Sequence, residues 1–178
     1  MSSKKYYLTP NEFSVISAGF EIPMIYGLKQ IDGRVDEKEI CMALHNMYVN
    51  QLISNNDSKE FVADDELTEI MRVIKNSRSF ISIDLSISDK MNTICCYCSK
   101  KCVVIEESFQ NPGKLVLYFD DWKKICADTV RLAVDTSVII TLIDAKNGQG
   151  IKKTTILPNE EVDKEEVLNR YYKEVTDL

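Results

Sequence analysis

Between Ile81 and Ser88 apolar and polar residues alternate without a break: Ile81, Ile83, Leu85 and Ile87 against Ser82, Asp84, Ser86 and Ser88. A period of two fits an extended chain with one face toward a core, because successive strand side chains point to opposite faces. The run predicts a half-buried strand. Apolar residues before it recur at helical spacing, so a helical N-terminal half (6–77) gives way here to a sheet-rich half (79–157).

The strands that follow are bounded by turn chemistry. Residues 93–98 and 102–107 read as a hairpin about Ser99-Lys100-Lys101, and Asn111-Pro112-Gly113 turns the chain into a further strand at 115–119. Together these give a four-stranded antiparallel meander. Residues 137–143 and 151–157 flank Asn147-Gly148, the dipeptide that best suits a two-strand turn.

Capping signals mark the helices. Thr9-Pro10-Asn11-Glu12 opens one, with Phe13, Ile16 and Phe20 on one face and Gly19 as its stop. Ile22 to Gly33 reads as a turn and a short extended segment. Asp36-Glu37-Lys38-Glu39 opens the next helix, whose expected buried stripe is Ile40, Ala43, Leu44, Met47, Tyr48 and Leu52, ended by Asn55-Asn56-Asp57-Ser58. Phe61-Val62 is a bridge to a helix capped by Asp64 with a stripe of Leu67, Ile70, Met71 and Ile74. Asp120 or Asp121 caps a helix bearing Trp122, Ile125, Cys126 and Ala133. Asp163 opens the last helix (163–176), with Val167, Leu168, Tyr171, Tyr172 and Val175 on its apolar side. The expected fold is one α+β domain over residues 1–178: a central antiparallel sheet, meander plus hairpin, flanked by N-terminal helices and a C-terminal helix.

Charge narrows the partners. The 178 residues carry 22 basic and 28 acidic side chains, a net −6, of which residues 158–178 account for −4. That balance speaks against nucleic acid or an anionic membrane. No apolar run approaches the roughly 20 residues of a membrane span. With no apolar signal core behind Met1-Ser2-Ser3-Lys4-Lys5, the chain is expected to be cytoplasmic. The cysteines, Cys41, Cys95, Cys96, Cys98, Cys102 and Cys126, are then expected to be reduced thiols.

No chemistry-bearing pattern emerges. Cys95, Cys98 and Cys102 have spacing that could serve zinc, with Cys96, Cys41 or His45 as a fourth ligand. In a strand, however, Cys95 and Cys98 point to opposite faces, and small thiols filling sheet positions explain them. A redox motif would sit at a helix N-terminus rather than in a hairpin. His45, the one histidine, shares a helical face with Cys41 but has no third orienting group. Asp64-Asp65 and Asp120-Asp121 are explained as caps, Glu106-Glu107 and Glu160-Glu161 as solvated surface, and 147–150 lacks the helix a phosphate loop needs. The expectation is a non-enzyme with no cofactor and no metal.

What remains is apolar surface. Leu115, Leu117 and Phe119 face one way, Val116 and Tyr118 the other, and a sheet apolar on both faces either carries two helical layers or docks a partner. Docking is the reading favoured, with Tyr97, Phe109, Tyr118, Tyr171 and Tyr172 as the partner-binding candidates, because tyrosine combines an apolar body with a polar tip.

The order of these pieces resembles a known family. Leu8-Thr9-Pro10 with Glu12-Phe13, Gly33 with Val35-Asp36-Glu37 opening a helix toward Leu52-Ile53, Phe61 to Leu67 leading into a short helix, and the strand Ile81-Ser82-Ile83-Asp84 together look like the EspG family of type VII (ESX) secretion chaperones over roughly residues 6–120. The resemblance implies a central antiparallel sheet and binding of a newly made helical secretion substrate. The chain is shorter than mycobacterial members, with only the 121–133 and 163–176 helices to serve as a second half. That fits a Firmicute-type relative serving small helical or LXG-type substrates, as a monomer or weak homodimer.

Two other readings compete. An immunity protein neutralising a basic toxin would use the acidic tail. A winged-helix regulator would need a basic helix where 64–75 has four acidic and two basic residues, which argues against it.

Overall fold

In a computed structural model that describes residues 3–22, 25–27, 35–56, 60–87, 90–99 and 101–177, the helices begin at the capping residues the sequence marks. Thr9 Oγ1 accepts from the Glu12 N–H at 3.2 Å while the Glu12 carboxylate accepts from the Thr9 N–H at 2.7 Å, fixing the start of α1 (Pro10–Gly19). The reciprocal bonds of Asp36 and Glu39, 2.8 and 2.9 Å, start α2 (Glu37–Val49). Asp64, Asp121 and Asp163 cap α3 (Asp65–Asn76), α4 (Trp122–Leu132) and α5 (Lys164–Thr176). Each cap satisfies backbone donors that would otherwise lack partners.

The expected meander is present as β4 (Ser79–Ile87), β5 (Lys90–Cys98), β6 (Cys102–Glu107) and β7 (Leu115–Asp120), all antiparallel. The hairpin of β8 (Val138–Asp144) and β9 (Gly150–Ile156) joins it through β4. Gly148 in that turn has φ +70, and a Cβ there would overlap the Tyr26 ring, so both the backbone and the neighbour require glycine. A strand the helical reading of the N-terminus passed over, β1 (Tyr6–Leu8), pairs with β7. The sheet therefore has seven strands in the order β1-β7-β6-β5-β4-β8-β9. On the outer edge, Lys152 and Lys153 of β9 are exposed, which discourages pairing with another strand.

Two helical layers cover this sheet. On one face, α1 and α3 bury Phe13, Ile16, Leu67, Ile70, Met71 and Ile74 against Phe80, Cys95, Tyr97 and Ile105. On the other, α4 and α5 bury Trp122, Ile125, Leu168 and Tyr171 against Ile81, Ile83, Val104 and Ile140. The first half of the central strand β4 is thus enclosed on both sides, with Ser79 and Ser82 buried as well as Ile81 and Ile83, whereas Asp84 and Ser86 keep the expected alternation and are only half-buried beside the buried Leu85. Of the two outcomes allowed by a sheet apolar on both faces, the chain takes the two-layer one. Of the surplus strand side chains that favoured docking, Leu115, Val116 and Leu117 are buried, while Tyr118 and Phe119 are half-buried at the end of β7.

The second correction concerns α2. Its helix stops at Val49, Gln51 takes φ +57, and Leu52 lies past the end. Residues Ile53–Asn55 form β2, which pairs with β3 (Phe61–Ala63) in a separate two-stranded hairpin, so Phe61-Val62 is a strand and not a bridge. Of the stripe expected to be buried, only Ala43 and Met47 are buried, because α2 packs against α1 and β2 and not onto the sheet. Most of the segment from Ile22 to Gly33 lies outside the described residues, as do Asp57, Ser58, Ser88 and Lys100 of the expected turns and strand.

Asp64 ties the N-terminal strand to α3. Its carboxylate accepts from the backbone N–H groups of Glu66 and Leu67, from Lys4 Nζ at 3.0 Å, and from the Tyr6 hydroxyl. Burial alone would raise this carboxyl, but the bonds from Tyr6 and Lys4 outweigh it and hold it below the ordinary aspartate value. A depressed folded-state pKa contributes stability above the unfolded value, lost as pH falls through the lowered one. Asp64→Ala is expected to cost about 2 kcal/mol near neutrality, the cap plus an orphaned Tyr6 hydroxyl. The deficit should shrink as pH falls below the ordinary aspartate range, which urea melts across pH will measure.

Candidate binding surfaces

The five aromatic candidates do not form one site. Tyr97 stacks on Phe80 with ring centroids 4.7 Å apart and is 2% exposed, inside the core beneath α1 and α3. Tyr171 is 1% exposed on the other side, its hydroxyl 2.8 Å from the Thr154 hydroxyl. Both are corrections: Tyr97 on β5 and Tyr171 on α5 point into the two cores between sheet and helices, so neither ring is presented at the surface. Phe109 projects from the turn between β6 and β7 and is 76% exposed. Tyr118 and Tyr172 are half-buried and line a common cleft.

That cleft, of about 1040 Å³, opens where the N-terminus of α4 meets the ends of β6 and β7. Its walls carry Tyr118, Phe119, Trp122 and Tyr172 together with Lys4, Lys5, Lys101, Lys123 and Lys124. Five lysines on one cleft stand out in a chain of net −6. The three acids there are already engaged. Glu66 accepts from Ser3 Oγ at 2.9 Å, Asp120 pairs with Lys124, and Asp121 caps α4 through the Lys123 N–H at 2.8 Å. Lys5 lies 4.4 Å from the Tyr118 ring centre and Lys101 5.5 Å from that of Phe119. Trp122 stacks on Tyr172 at 4.9 Å and donates its indole N–H to Asn169 Oδ1 at 3.0 Å.

Glu106, expected as solvated surface, is half-buried beside this cleft and accepts from the Tyr118 hydroxyl at 3.0 Å. Burial raises its carboxyl above the ordinary glutamate value, and the Tyr118 bond and the Lys5 and Lys124 charges pull down without cancelling it. Burial, then the Glu106 charge, raises the Tyr118 hydroxyl in turn.

The cysteines fall as strand alternation requires. Cys95 belongs to the core beneath α1 and α3, while Cys96, Cys98, Cys102 and Cys126 belong to the core beneath α4 and α5. Burial pushes the Cys95 and Cys126 thiols up to about 12, and the hydrogen bond with Cys102, then burial, raises Cys98 as well, so all three react slowly unless a partner sulfur is held beside them. Among the described residues, no three His, Cys, Asp or Glu side chains are placed to hold a metal ion. Cys41 and His45 are both exposed on α2.

The surface that periodicity missed is α2. Met42 is 54% and Val49 62% exposed, one above the other at i, i+7, and Cys41, His45 and Tyr48 run beside them. Phe61 and Val62 of β3 add further exposed apolar surface on the hairpin whose other strand, β2, contacts α2. A helix apolar around most of its circumference is ordinarily buried all round, and α2 buries two residues. The signal was present in Ile40-Cys41-Met42-Ala43-Leu44, a run too continuous for a one-sided stripe. No protein-family model matches the chain, and no curated protein matches it. Among the described residues no helix is long and apolar enough to cross a membrane.

Glu106 gives this region a test with a defined sign. Its folded pKa is raised, so ionised Glu106 lowers stability once pH exceeds the ordinary glutamate value, and the effect is complete above the raised one. Glu106→Gln keeps an acceptor for Tyr118 and is expected to be at least as stable as the native protein at pH 7. Its advantage should vanish as pH falls below the ordinary glutamate range, read from thermal melts at each pH.

Proposed function

We propose that the protein is a non-enzymatic binding protein that takes a helical partner against the outer face of α2 and the β2–β3 hairpin. On the sequence resemblance, the partner is a small helical or LXG-type substrate of type VII secretion, and the protein is its cytoplasmic chaperone or accessory factor. The observation that carries this reading is the unburied apolar face of α2. Met42, Tyr48 and Val49 gain nothing for the fold where they are, and full burial against a partner is worth up to about 1.5–3 kcal/mol for each aliphatic side chain. Their spacing suits another helix, whose side chains fit between rows three, four and seven residues apart. The sealed sheet takes no part in this docking.

One observation favours a second reading. Glu160, Glu161, Asp163, Glu165 and Glu166 are all exposed at the start of α5, an acidic surface suited to steering a basic toxin to an immunity protein. Protection of cells expressing the toxin encoded alongside would support that reading, because a chaperone for secretion leaves the toxin active.

Co-expression with the small helical proteins encoded beside the gene is expected to yield a stable complex. The double substitution Met42→Glu and Val49→Glu should leave stability within about 0.5 kcal/mol, being exposed. It should weaken the complex at least tenfold by calorimetric titration. Unchanged affinity would remove α2 from the interface, and repeated failure of any neighbour to co-purify would defeat the secretion reading.

A further inference from the structure

Cys98 and Cys102 face each other across the β5–β6 hairpin, with their sulfurs 3.1 Å apart. The register explains why. The Ser99 N–H donates to the Lys101 carbonyl at 3.1 Å, inside the pair, so Cys98 and Cys102 occupy a non-hydrogen-bonded position. Such positions bring opposed Cα atoms to about 4.5 Å, at the near end of the disulfide range. No other thiol is as well placed. Cys95 lies on the opposite face, Cys96 is two residues along the same strand, and Cys126 on α4 sits by Asn169 Oδ1. Cys41 is exposed on α2.

The pair also has an approach. Cys102 and its neighbour Lys101 are in the wall of the lysine-lined cleft; Cys102 is 2% and Cys98 7% exposed, so a reagent in the cleft reaches the sulfurs as the end of the hairpin opens. Lys5, Lys101 and Lys123 there have no carboxylate within ion-pair distance among the described residues, so the cleft can concentrate a small anion.

We propose that Cys98 and Cys102 form a dithiol modification site, closed to a cross-strand disulfide by an anionic low-molecular-weight disulfide, such as oxidised glutathione, that enters through the cleft. The Cys102 thiol loses its proton and attacks one reagent sulfur. The reagent S–S bond breaks, leaving a mixed disulfide on Cys102 and one released thiol. The Cys98 thiol then loses its proton and attacks the Cys102 sulfur, expelling the second reagent thiol. Two protein thiols are oxidised and one reagent disulfide is reduced to two thiols.

The test uses the native full-length protein, first fully reduced and then exposed to oxidised glutathione. Two of its six thiols should disappear. Trypsin cuts after Lys100 and Lys101, inside the loop, so the peptides carrying Cys98 and Cys102 should stay joined until a reductant is added. The neutral reagent 2-hydroxyethyl disulfide should give the same bond several-fold more slowly. The charge reversals Lys101→Glu and Lys123→Glu should slow the glutathione reaction and spare the neutral one. Cys41→Ser should change nothing, and Cys98→Ser should abolish the linked peptides. Retention of all six thiols, a bond between any other pair, or modification at Cys41 alone overturns the site. Equal rates with both reagents overturn the route through the cleft. Residues 91–100 form one tryptic peptide that carries Cys95 and Cys96 as well as Cys98, so fragment-ion sequencing of the linked peptides from the native chain decides the pairing even if a cysteine variant fails to fold.

Discussion

The double-sided burial of the central strands is the constraint on which the rest of the molecule depends. Phe80 and Ile81, Cys95 and Cys96, Val103 and Val104 are successive pairs with one member in each core. Leaving either face of such a sheet in water would expose hydrocarbon along several strands at once, at roughly 25 cal/mol for each Å². Helices on both sides are therefore required, and α1 and α3 serve one face while α4 and α5 serve the other. β1 and β9 lie at the outer edges of the sheet. α2 is then left to pack on α1 and β2, which explains why it is apolar and only one-sidedly covered.

How much of this could be read beforehand follows the range of the interactions involved. The five capped helix starts were legible because a cap is a hydrogen bond between residues two or three apart. The meander and the 138–156 hairpin were legible because period two and Asn-Gly chemistry are local as well. β1 was not, because three residues carry no period and its partner β7 lies more than 100 residues on. The end of α2 was misplaced because Gln51, a residue with no special leaning to the left-handed region, breaks it there. Alternation showed that both sheet faces were apolar. It could not say whether helices of the same chain or another molecule would cover them, since that is decided by topology.

The same limit sorts the aromatic candidates. Tyr97 and Tyr171 look like docking residues in sequence because a tyrosine hydroxyl suits a wet rim as well as a core. In the fold Tyr171 finds Thr154 for its hydroxyl and Tyr97 finds Phe80 for its ring, and both are spent on internal packing. Tyr118 lies near the end of β7, and Tyr172 turns away from the buried side of α5 to stack on Trp122 at the start of α4, so both line a cleft. The facing of Cys98 and Cys102 was within reach of the sequence: a three-residue loop at 99–101 places those two positions opposite each other, whatever the rest of the chain does.

A sealed core moves any binding activity to places where the two-layer plan is incomplete. The fold has no use for exposed hydrocarbon at Met42 or Val49, and a charged residue of good helix propensity would serve α2 equally well in water. Lys5, Lys101 and Lys123 likewise crowd on one cleft, where like charges repel; Lys5 and Lys101 lie over the rings of Tyr118 and Phe119, but none of the three has a carboxylate within ion-pair distance among the described residues. These are two of the described regions where local composition departs from what stability asks of it; Phe109, Val134, Ile151 and Leu157 are single exposed apolar residues elsewhere. Their chemistries differ, one apolar and helical, the other cationic and aromatic. An apolar helix face suits a polypeptide and a lysine-ringed cleft a small anion, which is why the occupants proposed for the two surfaces differ in kind.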